Sequence, residues 1–258
     1  MFPAISIVIP AFNEGARLGE TIRAICVYLA EHAAGSEIIV VSDGSRDQTA
    51  AVAREVFGEC GGTPARLIEH YPNRGKGAAV RAGLLAAANE IALFTDADLS
   101  TPIEELPKIV APVARGDADL VFGSRALDRS LIGVHQPWRR EQGGRVFNLL
   151  VRAATGLPFW DTQCGFKSFR MAACRPIIEA AKIDGFGFDV ELLLLAHRAG
   201  VRLREVAVRW NHFDGSKLDF FQESFRMLRE LIQIRQQVNA GSYDGALGLS
   251  LQAKTSRS

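Results

Sequence analysis

The first half of the chain alternates short apolar runs with amphipathic helical patterns, and this rhythm restricts it to a small group of folds. The runs Ile5–Ile9, Glu37–Ser42, Ala65–Glu69, Ile91–Thr95 and Asp119–Gly123 read as strands. Short, continuous apolar strands of this kind belong to parallel sheets covered on both faces. The covering helices lie between them: a stripe of Leu18, Ile22, Ile25 and Leu29, then Thr49–Phe57, Ala78–Asn89 and Ile103–Ala114. A mainly parallel central sheet flanked by helices is expected.

After Arg125 the rhythm stops and an irregular, arginine-rich segment begins. Helical patterns return at Val146–Ala154, Met171–Ala181 and Asp189–Arg198, followed by a strand at Arg202–Val208 and a final helix over Asp219–Val238. No repeat or clear linker breaks the chain, so residues 1–238 read as one domain, with 239–258 a disordered tail. At 258 residues, 48% of them apolar, the chain can bury a substantial core. The net charge of +1 provides no global field for nucleic acid. No apolar run reaches the roughly 18 residues needed to span a bilayer. The start of the chain carries no leader pattern, and Cys26, Cys60, Cys164 and Cys174 show no CxxC spacing. All four are therefore expected to stay reduced, in a cytoplasmic compartment.

In a parallel sheet the carboxyl ends of the strands share one edge, where open α/β proteins bind ligands. Each early strand here ends in a ligand-capable sequence: Pro10-Ala11-Phe12-Asn13-Glu14, Asp43-Gly44-Ser45, Asn73-Arg74-Gly75-Lys76-Gly77 and Thr95-Asp96-Ala97-Asp98. Asp96 and Asp98, at i and i+2, leave extended backbone on the same face. Two such carboxylates repel unless a cation joins them, and a hard ion such as Mg²⁺ or Mn²⁺ prefers oxygen ligands. Thr101 as N-cap, Pro102 at the first helical position and Glu104 in a capping box would start the next helix. Gly75 and Gly77 would admit a phosphate beside Lys76, or they form a plain glycine-rich turn. A Walker A loop is excluded because Gly-Lys is followed by Gly, and no G-x-G-x-x-G follows the first strand. Asp43 either closes an Asp-Gly turn or accepts the N–H groups of a nucleobase.

These segments, in this order, resemble glycosyltransferase family 2. Phe122-Gly123-Ser124-Arg125, Asp161-Thr162-Gln163-Cys164-Gly165-Phe166-Lys167, Phe188-Asp189-Val190-Glu191 and Gly215-Ser216-Lys217-Leu218 extend the resemblance to the dolichyl- or polyprenyl-phosphate sugar synthases. It covers residues 4–235. The resemblance implies a GT-A-type nucleotide-sugar-binding fold, with residues 1–125 the nucleotide-sugar half and 126–238 the acceptor half. It implies a nucleoside-diphosphate sugar donor, UDP-glucose by preference, a polyprenyl phosphate acceptor and a divalent metal. Pro10, Ala11, Phe12, Glu14 and Asp43 would hold base and ribose, and Asp96 and Ala97 would contact the nucleotide. Asp98, helped by Asp96, would hold the metal, while Arg125 and Lys217 match positions that steady phosphate groups; Lys76, from the loop reading above, would add charge at its helix N-terminus. Mannosyl transfer from GDP-mannose and a soluble hydroxyl acceptor are the alternatives.

A lipid phosphate, with a second pKa of about 6, is largely ionised and attacks without a general base. A hydroxyl acceptor needs one, and Asp161 is the candidate for that or for orienting the acceptor. Asp189 and Glu191 do not share a helical face and are given a structural role, pairing with an arginine. Residues 125–152 hold six arginines against two acids, interleaved with Trp138, Phe147, Leu149, Leu150 and Val151. Such a segment binds an anionic lipid head at a membrane surface or is a solvated basic face; Arg139 and Arg140 are the candidates for acceptor phosphate. The protein is accordingly expected to be peripheral on the cytoplasmic face of a membrane. The last helix carries Phe221, Phe225, Leu228 and Ile232 on one face, which packs on the core or lies in a membrane interface.

Overall fold

The computed structural model describes residues 2–134, 138–212, 220–245 and 248, and only the backbone of 138–141, 145 and 220–224. Its strands are β1 (Ile5–Ala11), β2 (Glu37–Asp43), β3 (Ala65–His70), β4 (Ile91–Thr95), β5 (Leu120–Ser124), β6 (Ile132–Val134), β7 (Phe166–Arg170), β8 (Leu203–Ala207) and β9 (Trp210–Asn211). Seven form one sheet in the order β3-β2-β1-β4-β7-β5-β8, while β6 and β9 pair separately. Every pairing in the large sheet is parallel except those of β7, which runs antiparallel to both β4 and β5.

The helices are α1 (Leu18–His32), α2 (Thr49–Phe57), α3 (Lys76–Ala86), α4 (Leu106–Ala114), α5 (Trp138–Thr155), α6 (Met171–Ala180), α7 (Phe188–Arg198) and α8 (Phe220–Asn239). Alternating side chains of the central strands feed two cores. Ile5, Ile7 and Ile9 meet α1, α2 and α4 on one face. Val8, Ile39, Val41 and Phe94 meet α3, α6 and α7 on the other. Both faces are thus dry, which is why the runs Ile7–Ile9, Ile38–Val41 and Ile91–Phe94 are continuously apolar.

Several expectations are corrected. β7 was not foreseen, because Phe166-Lys167-Ser168-Phe169-Arg170 breaks any apolar run; Lys167 and Ser168 are nonetheless fully buried. The capping box at Thr101 does not form: a 3-10 turn over Ile103–Glu105 precedes α4, and no side chain caps either start. Cys26 and Cys60 are joined in a disulfide between α1 and the turn after α2, so only Cys164 and Cys174 are free. The argument from reduced cysteines to a cytoplasmic compartment therefore loses its basis. Phe225, Leu228 and Ile232 of α8 face solvent, and it is Leu231 and Ile234 that pack inward. Part of the expected tail is ordered: Tyr243 is buried, and its hydroxyl donates to Glu191 Oε1 at 2.6 Å. Residues 249–258 lie outside the described residues.

Candidate active site

At the carboxyl edge of the sheet, the loops after β1 and β2 are tied to each other rather than left open. Asn13 N–H donates to Ser45 Oγ at 3.1 Å, and Asn13 Oδ1 accepts Arg46 N–H at 2.8 Å. Glu14 N–H donates to Thr49 Oγ1 at 2.8 Å. These bonds hold Asn13 at φ 56°, a conformation an asparagine tolerates. Pro10 and Ala11 are fixed in register with Val41 and Ser42. Phe12, next along, is 49% exposed and offers a ring at the rim of the crevice. Glu14 is turned to Arg17, accepting from it at 3.1 Å through Oε1.

Asp43 ends β2 and is almost wholly buried. Its carboxylate accepts N–H from Arg74 at 3.0 Å and Gly75 at 2.7 Å and meets His70 Nδ1 at 2.9 Å. Asn73 closes the loop by donating to the Asp43 carbonyl at 2.6 Å. Gly44 allows this: it sits at φ 70°, and a Cβ there would lie 2.4 Å from Asn73 N. Asp43 thus organises the 73–75 turn as the floor of the crevice.

That turn leads into α3, whose N-terminus is already occupied. Gly77 N–H donates at 2.8 Å to the carbonyl of Asp184, and a Cβ on Gly75 would lie 2.3 Å from the same oxygen. The two glycines therefore admit the chain's own 183–185 backbone, not a phosphate. Lys76, between them, reaches forward: its Nζ is 2.7 Å from Asp96 Oδ1. Burial works against its charge, but Asp96 and then Asp189 outweigh this and raise its pKa.

Asp96, Ala97 and Asp98 form the turn that leaves β4. The Ala97 carbonyl accepts from Thr21 Oγ1 at 2.6 Å, pinning the turn to α1. Asp96 N–H donates to the Gly165 carbonyl at 3.2 Å, and a Cβ on Gly165 would lie 2.1 Å from Asp96 Oδ2. Only glycine lets the carboxylate lie against that backbone. Asp98 Oδ1 accepts Ser100 N–H at 2.9 Å. Among the described residues, Asp98 Oδ2 has no donor. Arg17 faces the pair as well; its pKa is raised first by its bond to Glu14 and further by Asp98 and Asp96.

The donor set of this turn fits Mg²⁺ or Mn²⁺: hard carboxylate oxygens, one of them uncommitted. Among the described residues no third histidine, cysteine or acid joins Asp96 and Asp98. The remaining coordination positions would go to diphosphate oxygens and water, as such ions prefer.

On the other side of the crevice, Arg125 follows β5 and grips Asp161. Its Nε donates to Oδ2 at 2.7 Å and its Nη2 to Oδ1 at 2.9 Å, a bidentate pair. The backbone N–H of Arg125 and of Gln163 add bonds at 3.0 and 3.1 Å. Asp161 is only 1% exposed. Burial alone would raise its carboxyl, but the Arg125 guanidinium overrides this and brings the pKa to about 2. A carboxylate so fully engaged is a poor proton acceptor and a good clamp. Glu205 of β8 fixes the loop from behind, accepting Trp160 and Asp161 N–H at 3.0 and 2.8 Å.

Beneath both halves lies an ion pair that sequence reasoning missed. Lys167 Nζ, fully buried, donates to Asp189 Oδ1 and to the Cys164 carbonyl, each at 2.6 Å. Burial pushes the Asp189 carboxyl up, with Lys167 and Lys76 pulling against it. Asp189 thus pairs with a lysine, not an arginine. Glu191, two residues on, accepts Lys182 and Ile183 N–H at 2.8 and 2.9 Å and fixes the 182–187 loop against α3. The available signal was a lone lysine flanked by phenylalanines. Arg139 and Arg140 fall in the first turn of α5, where only the backbone is described, and Lys217 lies outside the described residues. The structure brings the other candidates, Pro10 to Asp161, to one edge of the sheet.

Solved structures share this architecture. Glucosyl-3-phosphoglycerate synthase from Mycobacterium tuberculosis, in complex with Mn²⁺, UDP and phosphoglyceric acid, matches 90% of this chain and 78% of its own at TM-score 0.63 and 21% identity. The same enzyme with Mg²⁺ and UDP matches at TM-score 0.62 and 19% identity. The fold is the GT-A type of nucleotide-sugar transferases. More specifically, the chain belongs to Glycosyl transferase family 2, whose profile matches residues 6–178. Among curated relatives, a dolichyl-phosphate beta-glucosyltransferase of Drosophila melanogaster is 36% identical over 253 residues, covering 93% of this chain and 76% of that protein. The enzyme of the same name from Homo sapiens is 33% identical, covering 93% and 77%. That from Saccharomyces cerevisiae is 31% identical, covering 93% and 76%.

Proposed function

We propose that this glycosyltransferase moves glucose, with inversion, from UDP-glucose to a polyprenyl phosphate of the dolichyl type. An oxygen of the lipid phosphate attacks the anomeric carbon in line, while the bond to the diphosphate breaks and its electron pair leaves with UDP. Pro10, Ala11, Phe12 and Asp43 frame the base and ribose, and Lys76, Arg125 and Lys217 balance phosphate charge. Asp98, helped by Asp96, would hold Mg²⁺ or Mn²⁺, which supplies charge to the departing diphosphate. Arg139 and Arg140 are assigned to the acceptor phosphate. The donor is a soluble nucleotide sugar and the acceptor a membrane lipid, so we place the reaction on the cytoplasmic face of a membrane, with the protein peripheral. Among the described residues no helix is long and apolar enough to cross a bilayer.

The observation that carries the phosphate acceptor is the state of Asp161. Locked in a bidentate pair with a pKa near 2, it offers no general base, and an ionised phosphate needs none. The relatives named for dolichyl-phosphate glucosylation support the same reading. A soluble hydroxyl acceptor is the second reading, supported by the fold shared with glucosyl-3-phosphoglycerate synthase. The test is transfer of labelled sugar into organic-extractable lipid, from UDP-glucose or GDP-mannose, with detergent-dispersed polyprenyl phosphate. Chelator-sensitive label from UDP-glucose alone is expected. Label from GDP-mannose alone reassigns the donor. UDP release without lipid labelling, restored by 3-phosphoglycerate, overturns the lipid acceptor.

A further inference from the structure

The bridge between Lys76 and Asp96 puts a tethered cation on an oxygen that a divalent ion would need. Lys76 Nζ lies 2.7 Å from Asp96 Oδ1, and the two side chains are 22% and 33% exposed. Asp96 Oδ2 lies against Gly165, where an added Cβ would come within 2.1 Å. Both Asp96 oxygens are therefore engaged at rest. Asp98, beside it, keeps Oδ2 without a donor among the described residues. Helix stability does not explain this lysine, because it opens α3, where the helix dipole favours negative charge.

The backbone that carries the lysine is locked. Gly77 and Ala78 N–H donate to the Asp184 carbonyl at 2.8 and 3.3 Å. A Cβ on Gly77 would lie 2.4 Å from the Ile183 carbonyl oxygen. Arg81 bonds the Asp184 carboxylate, and Glu191 holds Lys182 and Ile183 N–H from α7. What can move is the flexible four-carbon stem. Phe186, from the same loop, presents its ring 5.8 Å from Nζ, a second attraction for the ammonium besides Asp96.

A dication on Asp96 Oδ1 would sit beside this ammonium, and in a half-buried crevice the two repel strongly. Two carboxylates facing an ammonium and a dication are left with an excess of positive charge. A nucleoside diphosphate supplies the missing negative charge and gives the ammonium somewhere to go. We propose that Lys76 is a stand-in cation: it caps Asp96 in the free enzyme, withholds that oxygen from the metal, and swings to the diphosphate when nucleotide and metal arrive together. No covalent bond changes; one ion pair is exchanged for another. The proposal rests on the reading of Asp96 and Asp98 as metal ligands and of Lys76 as a phosphate contact. It adds that metal binding is weak until nucleotide draws the lysine away.

Calorimetry on the purified protein tests this, with Mn²⁺ alone, UDP alone, and Mn²⁺ in the presence of saturating UDP. In Lys76→Met, Mn²⁺ alone should bind about tenfold more tightly and UDP alone about tenfold more weakly. The gain in Mn²⁺ affinity that UDP confers should shrink to match. Lys76→Gln, which keeps a donor without the charge, should follow the same pattern, and both variants should keep the parent's circular dichroism. Opposite signs for the two ligands separate exchange from damage, since a site that is merely loosened loses both. Mn²⁺ affinity that falls or stays level in the two lysine variants, while Asp98→Ala abolishes it, overturns the exchange and leaves the metal assignment standing. Mn²⁺ binding that survives Asp98→Ala overturns the metal assignment and the exchange together.

Discussion

On the β4 side of the crevice, Asp96 and Asp98 sit in a turn directly after a strand, partly exposed, with one Asp98 oxygen uncommitted among the described residues. Across and beneath the crevice, Asp161 and Asp189 are 1% and 3% exposed, and each is closed by a cation from another part of the chain. The same residue type therefore does two jobs. An open carboxylate keeps capacity for an ion or a ligand. A closed one holds another side chain in place: Asp161 the half-buried Arg125, Asp189 the fully buried Lys167.

Breaking a closed pair should show first as lost stability. Lys167→Met leaves Asp189 without its partner, a change expected to cost about 3–5 kcal/mol. The melting temperature should fall by about 10 °C. Adding Asp189→Leu should recover most of this, and a single variant that melts like the parent would erase the distinction between open and closed acids. Asp98→Ala should do the reverse, leaving the melt unchanged while transfer falls about 10³-fold. Calorimetric titration of Mn²⁺ with UDP should then show no heat; retained metal binding would move the metal elsewhere.

The Arg125–Asp161 pair sharpens the comparison on the opposite side of the crevice. Arg125→Lys keeps the charge but loses the fork, and should lower turnover about 10²-fold. Because the fold favours ionised Asp161, its contribution is complete above the ordinary carboxylate pKa of 3.8 and is lost as pH falls toward about 2. That is about 2 kcal/mol of stability, readable as an acid-limb slope in denaturant melts that Asp161→Asn should flatten. A neutral-pH limb in the rate profile that disappears in Asp161→Asn would instead make this residue the base. The smallest effect is expected from Gly165→Ala, whose methyl displaces Asp96: about tenfold in kcat/KM with little change in stability. No change at all would mean that Asp96 need not lie against that backbone.

How much could be read in advance follows the same division. Asp43, Lys76, Asp96 and Asp98 were legible because each sits within a few residues of a strand end, where one edge gathers them. The Gly75–Gly77 loop was legible as a tight turn but not as a socket for residues 183–185, which arrive from beyond a hundred positions away. The outward stripe of α8 could be seen, yet its direction could not, since a helix with apolar residues on more than one side gives no unique inner face. The pairing of Lys167 with Asp189 left no periodic trace.

By itself, the sequence determined the alternating α/β frame, the crevice at the strand ends and the family, because these rest on local patterns that repeat at fixed spacing. The tertiary structure alone decided that β7 inserts antiparallel, that Asp161 clamps Arg125, and that α5 and α8 leave apolar side chains in solvent. Those outcomes depend on which distant charges meet in a low-dielectric interior and which surfaces remain uncovered. Neither is a property of any single segment.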